Sequence, residues 1–174
     1  MKILKYPSKA LLIKTELVNI AHFNPSSEKL FAEKYTPKIM EMLETLEGTP
    51  NAYALAANQV DLPWRLFCLK ESLADELNTP TVIINPSLEV IGSKRETQDE
   101  GCLSFPDLYY KVNRPSKVSC HYYTMTGEKK FKDLSGIGAR VFQHECEHLD
   151  GNIFINNLSR IQKFQAIGIM NKRR

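Results

Sequence analysis

Two histidines and two glutamates lie close together in His144-Glu145-Cys146-Glu147-His148. A helix turns about 100° per residue, which puts the two histidines about 40° apart on one face. Their imidazoles can then converge on one metal ion, and zinc or iron would accept two neutral nitrogens there. A carboxylate beside a water on that metal can remove its proton, giving a nucleophile near neutral pH. Glu145 and Glu147 flank the histidines almost symmetrically, and geometry does not choose between them. The competing reading is a solvated helix face, since all four residues are surface-compatible. Against it, Ile137, Val141, Cys146 and Leu149 give the helix an apolar opposite side.

A catalytic site of this kind needs three protein ligands and an open position. After His148 the chain has no His, Cys or Glu, and its only acidic residue is Asp150. His144 to Gly151 matches the start of the longer pattern HExxHxxGxxH, but Phe154 stands at its last ligand position. The third ligand is therefore Asp150, too close on the helix to aim back comfortably, or a residue upstream. Upstream, Glu100-Gly101-Cys102-Leu103-Ser104 stands out. Cys102 would supply a soft thiolate and complete a Cys-His-His set. Gly101 permits close backbone approach or a positive φ. A buried small hydrophobe is the commoner fate of a free cysteine, so Cys102 keeps two readings. Cys68 and Cys120 lie in strand-like runs, and Cys146 lies on the helix side away from the histidines. These three read as packed thiols.

The elements that position these groups can be read coarsely. Ser27 to Leu46 predicts a helix with Phe31, Tyr35, Ile39, Met42 and Leu46 on one stripe. Pro37 kinks it or restarts it with Thr36 as N-cap. Trp64 to Lys70 and Thr81 to Ile91 read as strands, the second split at Asn85-Pro86. Lys117 to Thr124 and Lys129 to Leu134, joined through Thr126-Gly127, read as a hairpin. A helix follows from about Ser135, its expected cap, to Leu149, with Gly151 as its stop. Leu158 to Met170 reads as a last helix, with Leu158, Ile161, Phe164, Ile167 and Met170 at steps of three. The order predicts an α+β fold with mostly antiparallel strands.

The chain has 174 residues, 43% of them apolar and 25% charged, which suits one globular domain over 1–174 and excludes a disordered or fibrous chain. Lysines at 2, 5, 9 and 14 break up any signal-peptide core, and no apolar run approaches the roughly 20 residues needed to cross a bilayer. A cytosolic setting with reduced thiols is expected. The net charge of +3 does not point to sequence-specific nucleic-acid binding. Its distribution is uneven. No acidic residue follows Asp150, while Arg160, Lys163, Lys172, Arg173 and Arg174 are basic, which makes 158–174 a basic helix and tail.

Taken together, the motifs resemble peptide deformylase. That family carries GxGLAAxQ, EGCLS and QHExxHLxG in this order. The second is intact at Glu100 to Ser104 and the third at Gln143 to Gly151. The first appears from Ala52 to Gln59, with alanine at both glycine positions, Ala52 and Ala54. The resemblance runs from about Met1 to Leu158. It implies a deformylase-like α+β fold, with antiparallel strands packed around a central HExxH helix. It implies an enzyme that removes the N-formyl group from the initiator methionine of nascent polypeptides and releases formate. By the matched positions, Cys102, His144 and His148 bind one divalent metal ion, ferrous iron in the cell, with zinc, nickel or cobalt accepted in preparations. Similarity to known HExxH sites makes Glu145, not Glu147, the general base on the water and then the acid toward the leaving amine. The Gln59 amide and the Leu103 N–H donate to the formyl oxygen.

The resemblance also assigns Tyr53, Ala54, Glu100 and Gly101 to the substrate side. The backbones of Tyr53 and Ala54 pair with an extended peptide, and Glu100 with Arg114 braces the cysteine loop. The alanines at 52 and 54 are expected to crowd the pocket, or to strain the backbone if φ must be positive. Two rivals are an HExxH metalloprotease and a non-catalytic binder of peptide N-termini. The basic tail has two readings, a solvated helix end or a contact with ribosomal RNA. The implied setting is a monomer in the cytoplasm, bacterial or, for a virus-encoded copy, that of the host, with no membrane partner.

Overall fold

Helix α4 (Gly136–Leu149) runs through the centre of the fold, and eleven of its fourteen residues are buried. The computed structural model describes residues 1–20 and 28–173. Ahead of α4 lie α1 (Glu28–Lys34), α2 (Thr36–Glu47), β1 (Ala54–Ala56), β2 (Leu66–Leu69), α3 (Glu71–Leu77) and β3 (Val82–Val90). They continue with β4 (Arg95–Cys102), β5 (Phe105–Pro115), β6 (Lys117–Tyr123) and β7 (Lys129–Ser135). A 3₁₀ turn (Ala57–Val60) follows β1, another (Phe154–Asn157) follows α4, and α5 (Arg160–Lys172) closes the chain. Five strands form one sheet in the order β1-β2-β3-β6-β7, while β4 and β5 pair separately. Every pairing between these strands is antiparallel, and an isolated parallel bridge joins Glu16 to Trp64. The predicted α+β architecture, with strands around the HExxH helix, is what the chain adopts.

Strand alternation explains why one sheet can serve two cores. Successive side chains point to opposite faces. In β2, Phe67 and Leu69 turn toward α4 and meet Phe142, Val141 and Leu149. Leu66 and Cys68 turn the other way and meet Ile39, Met42 and Leu46 of α2. The Phe67 and Phe142 rings meet edge-on at 5.0 Å. A third cluster joins Phe105, Leu108 and Val112 of β5 to Phe154, Ala166 and Met170. Truncating a fully buried phenylalanine such as Phe142 to alanine costs roughly 3–5 kcal/mol. The site is thus anchored on a helix that cannot shift without opening the core.

Several local expectations need correction. Pro37 restarts the helix rather than kinking it, but Tyr35, not Thr36, takes the N-cap position. Ser27 lies outside the described residues. Asn85-Pro86 does not split a strand; β3 runs through, with Asn85 at φ 49° and a register shift between Ile84 and Ser87. The Asn85 side chain closes this bulge by bonding both backbone groups of Val18. Ser135 sits at the N-cap of α4 without a side-chain capping bond. Gly151 ends the helix at φ +75°, where an added Cβ would meet Leu12 O at 2.8 Å. In α5 the steps of three do not make a buried stripe. Each step falls about 60° short of a full turn, so Met170 is buried while Ile161 and Phe164 are exposed.

Candidate active site and metal centre

α4 brings His144 and His148 to one face, and the end of β4 brings Cys102 against them. The three ligand atoms lie within 4.8 Å of one another, with Cys102 Sγ 3.1 Å from His148 Nε2. A register shift between Gly101 and Cys102 turns the cysteine out of the β4 ladder. Gly101 is glycine for close approach, because a Cβ there would lie 2.6 Å from the Tyr109 ring. One thiolate and two imidazoles suit a borderline-soft divalent ion such as zinc or ferrous iron, and three donors leave a position open. Cys68, Cys120 and Cys146 are buried free thiols, as their packed reading required.

Behind the ligands stands a buried charge network. His144 Nδ1 is 2.6 Å from Glu100 Oε1, so the N–H donates to the carboxylate and Nε2 is free for a metal. Arg114 bonds both Glu100 oxygens at 2.6 and 2.7 Å, and Arg140 adds a bond at 2.9 Å. Burial alone would raise the Glu100 carboxyl, but the bonds from Arg114 and His144 hold it well below the usual range. Burial likewise opposes charge on His144, yet its bonds to Cys102 and Glu100 hold its pKa well above the ordinary value. His148 is driven the other way, by burial and by the charge on His144. A metal ion competes with the His144 proton, so its affinity falls as pH falls. The pairing of Glu100 with Arg114 agrees with the expected brace. Both Glu100 oxygens are engaged by its own chain, and the residue also lines the cavity beside the ligands.

The two glutamates of α4 differ completely. Glu147 accepts from Arg114 at 2.7 and 2.9 Å and from Asn157 at 3.0 Å. Glu145 is buried, and its Oε2 has no hydrogen-bond partner among the described residues. Burial raises its carboxyl to about 7, the His144 charge lowering it and Glu100 raising it. Glu145 lines a cavity of about 410 Å³ together with Cys102 and His144, and Glu147 does not.

Gln59 and Leu103 line the same cavity. Gln59 Oε1 accepts from the Ala56 N–H at 2.9 Å. Its Nε2 donates to Ser104 Oγ at 3.1 Å and lies 3.7 Å from Cys102 Sγ. The N-terminal segment ties both donors down. Leu4 N–H bonds Gln59 O, Lys5 Nζ bonds Leu103 O, and Tyr6 N–H bonds Ser104 O. Sequence reasoning missed Lys5, whose contact spans 98 positions. It also missed Arg140, which a helical step of four from His144 could have flagged.

β1 is an edge strand. Tyr53 O accepts from the Lys70 N–H, so the backbone of Tyr53 faces β2. By alternation the N–H and C=O of Ala54 face the open edge. Only Ala54 of the expected pair has backbone free for an added strand, and Tyr53 offers its half-exposed ring to the cavity wall. Neither Ala52 nor Ala54 has a positive φ; Asn51 takes that conformation, at 56°. The feared backbone strain is absent, and both methyls are buried in the core while lining the cavity.

The polypeptide deformylase family model matches residues 1–164. This chain belongs to that family. The peptide deformylase of Caulobacter vibrioides is 38% identical over 136 residues, covering 77% of each chain. That of Agrobacterium fabrum is 35% identical over 127 residues, 73% of this chain and 74% of its own. Among solved structures, the peptide deformylase of Ehrlichia chaffeensis in complex with actinonin has a TM-score of 0.81 and 29% identity, covering 100% of this chain and 97% of that one. The Plasmodium falciparum peptide deformylase has a TM-score of 0.78 and 31% identity, covering 98% and 94%. The chain is accordingly a metal-dependent hydrolase that removes the N-formyl group from nascent peptides. The protease reading loses its ligand as well, since Phe154 packs between Phe105 and His144. No helix among the described residues is long and apolar enough to cross a membrane.

Proposed function

We propose that Cys102, His144 and His148 hold the catalytic metal, ferrous iron in the cell, and that Glu145 is the acid–base group of the deformylation. The observation that carries this is the unpartnered Oε2 of Glu145, in a residue that lines one cavity with Cys102 and His144 of the convergent Cys-His-His set. When bound, the ion supplies Lewis acidity to the formyl oxygen and to the attacking water. Glu145 Oε2 takes the water proton and returns it to the amine nitrogen as formate leaves. Gln59 Nε2 and the Leu103 N–H donate to the formyl oxygen as negative charge gathers there. Gln59 must turn its amide from Ser104 Oγ to do so, and the bond from Ala56 N–H to Oε1 keeps it in reach. The Ala54 edge pairs with the extended peptide. Ile137, Val141 and Leu108 give the methionine side chain an apolar wall.

In this reading the whole chain acts as one domain, a cytoplasmic monomer near emerging chains. The basic tail offers Arg160 and Lys172 to ribosomal RNA, while Arg173 is drawn to Pro106 O and Asp107. The test of the site is anaerobic metal analysis followed by a formate assay on formyl-Met-Ala-Ser. One metal per chain and steady formate release are expected, with metal lost in Cys102→Ala. Full metal occupancy in Cys102→Ala would remove the ligand assignment.

A further inference from the structure

Asn58 has no part in the mechanism above, yet it is 3% exposed and stands beside Gln59 in the 3₁₀ turn. Its Nδ2 donates to the backbone C=O of His148 at 2.5 Å, across 90 positions of sequence. A carbonyl requires a donor, so the amide orientation is fixed and Oδ1 is turned aside. That Oδ1 is buried without a hydrogen-bond partner among the described residues. The residue Asn58 touches carries the complementary orphan, the buried Nδ1 of His148. Nε2 of that ring lies 3.1 Å from Cys102 Sγ. Nε2 is therefore the ligand atom, and Nδ1 keeps the proton.

A buried N–H and a buried acceptor, each left alone, are costly, and such groups are found paired or bridged by ordered water. His144 already shows the arrangement, with its Nδ1–H held by Glu100. Imidazole ligands almost always anchor their second nitrogen in this way. We propose that Asn58 is the positioning residue of the second histidine. Its Oδ1 accepts the Nδ1–H of His148 through one buried water, and so aims Nε2 at the ligand position. The same short turn then steadies both sides of the site, Cys102 through Gln59 and His148 through Asn58.

This rests on the ligand set proposed above, and the test separates the two. The protein is loaded with Co²⁺, and metal affinity is measured by competition with a chelator. The exchangeable imidazole N–H signals, shifted by the cobalt, are followed by NMR. Wild type should bind one Co²⁺ and show two slowly exchanging N–H signals, one from each histidine. Asn58→Leu should bind Co²⁺ about 10- to 100-fold more weakly. Only the His148 signal should move or exchange faster, and Asn58→Thr, whose hydroxyl both donates and accepts, should restore both readouts. Should Asn58→Leu fail to fold, Asn58→Ala carries the same expectations. An unchanged affinity, or equal loss of both histidine signals, overturns the inference while leaving the ligand set standing. A wild type that binds no Co²⁺ overturns the ligand set and this inference with it.

Discussion

Glu145 and Glu147 share a helix, a residue type and two histidine neighbours, yet the fold gives them opposite fates. Glu147 faces Arg114 and Asn157, spends its carboxylate on three bonds and joins β5 to α4. Glu145 faces the cavity, unpaired, with a carboxyl raised to about 7. A buried carboxylate without partners is costly to keep, and its persistence here suits the proposed role of taking up a proton and giving it back. The pair teaches that the helix supplies candidates and the packing around it assigns them.

The largest expected effect comes from Glu145→Ala, which should lower kcat by about 10²- to 10⁴-fold, the usual worth of a positioned acid–base group. Metal content should stay at wild-type level by elemental analysis. Glu147→Gln should do the reverse. Turnover should stay within a few-fold, while unfolding in denaturant shows a loss of roughly 1–3 kcal/mol from the weakened bonds to Arg114. Equal kinetic damage from the two changes would erase the contrast.

The charge states give two pH tests. Glu145 works as a base only when unprotonated, so kcat/KM should rise with pH through its pKa. That value should lie at or below about 7, because a cation at the triad favours the carboxylate. Glu100 has a folded pKa well below its unfolded one. Its contribution to stability is fully present above about pH 4.3, the ordinary carboxyl value, and is lost as pH falls toward the folded pKa. Metal-free wild type should therefore lose thermal stability more steeply than Glu100→Gln between about pH 5 and 3. The smallest effect belongs to the tail. Removing residues 171–174 should leave turnover on short peptides unchanged and weaken ribosome co-sedimentation at low salt.

How much of this was legible in the sequence follows from physical range. α4 could be read because its signals are local, with two histidines one turn apart and a glycine stop. Cys102 was found as a soft donor upstream of a helix with no third ligand downstream, and the 3₁₀-turn residue Gln59 through motif resemblance; periodicity flagged neither. β4 and β5 were missed because Arg95–Cys102 is polar on both faces and so lacks an apolar alternation. Helix geometry could not separate Glu145 from Glu147, which only the resemblance did, because Arg114 lies 33 residues from Glu147 and meets it only after β5 packs on α4. Lys5 and Asn58 were hidden for the same reason. Their partners are 98 and 90 positions away. The alanines at 52 and 54 raised a fair question, but φ at those positions depends on the turn, and Asn51 takes the left-handed conformation instead.

The most direct test is formate release from formyl-Met-Ala-Ser by three anaerobically prepared proteins of equal metal content: wild type, Glu145→Ala and Glu147→Ala. Wild type and Glu147→Ala should release formate at comparable rates, and Glu145→Ala should be nearly silent. Rapid formate release by Glu145→Ala, with metal content confirmed, would contradict the account.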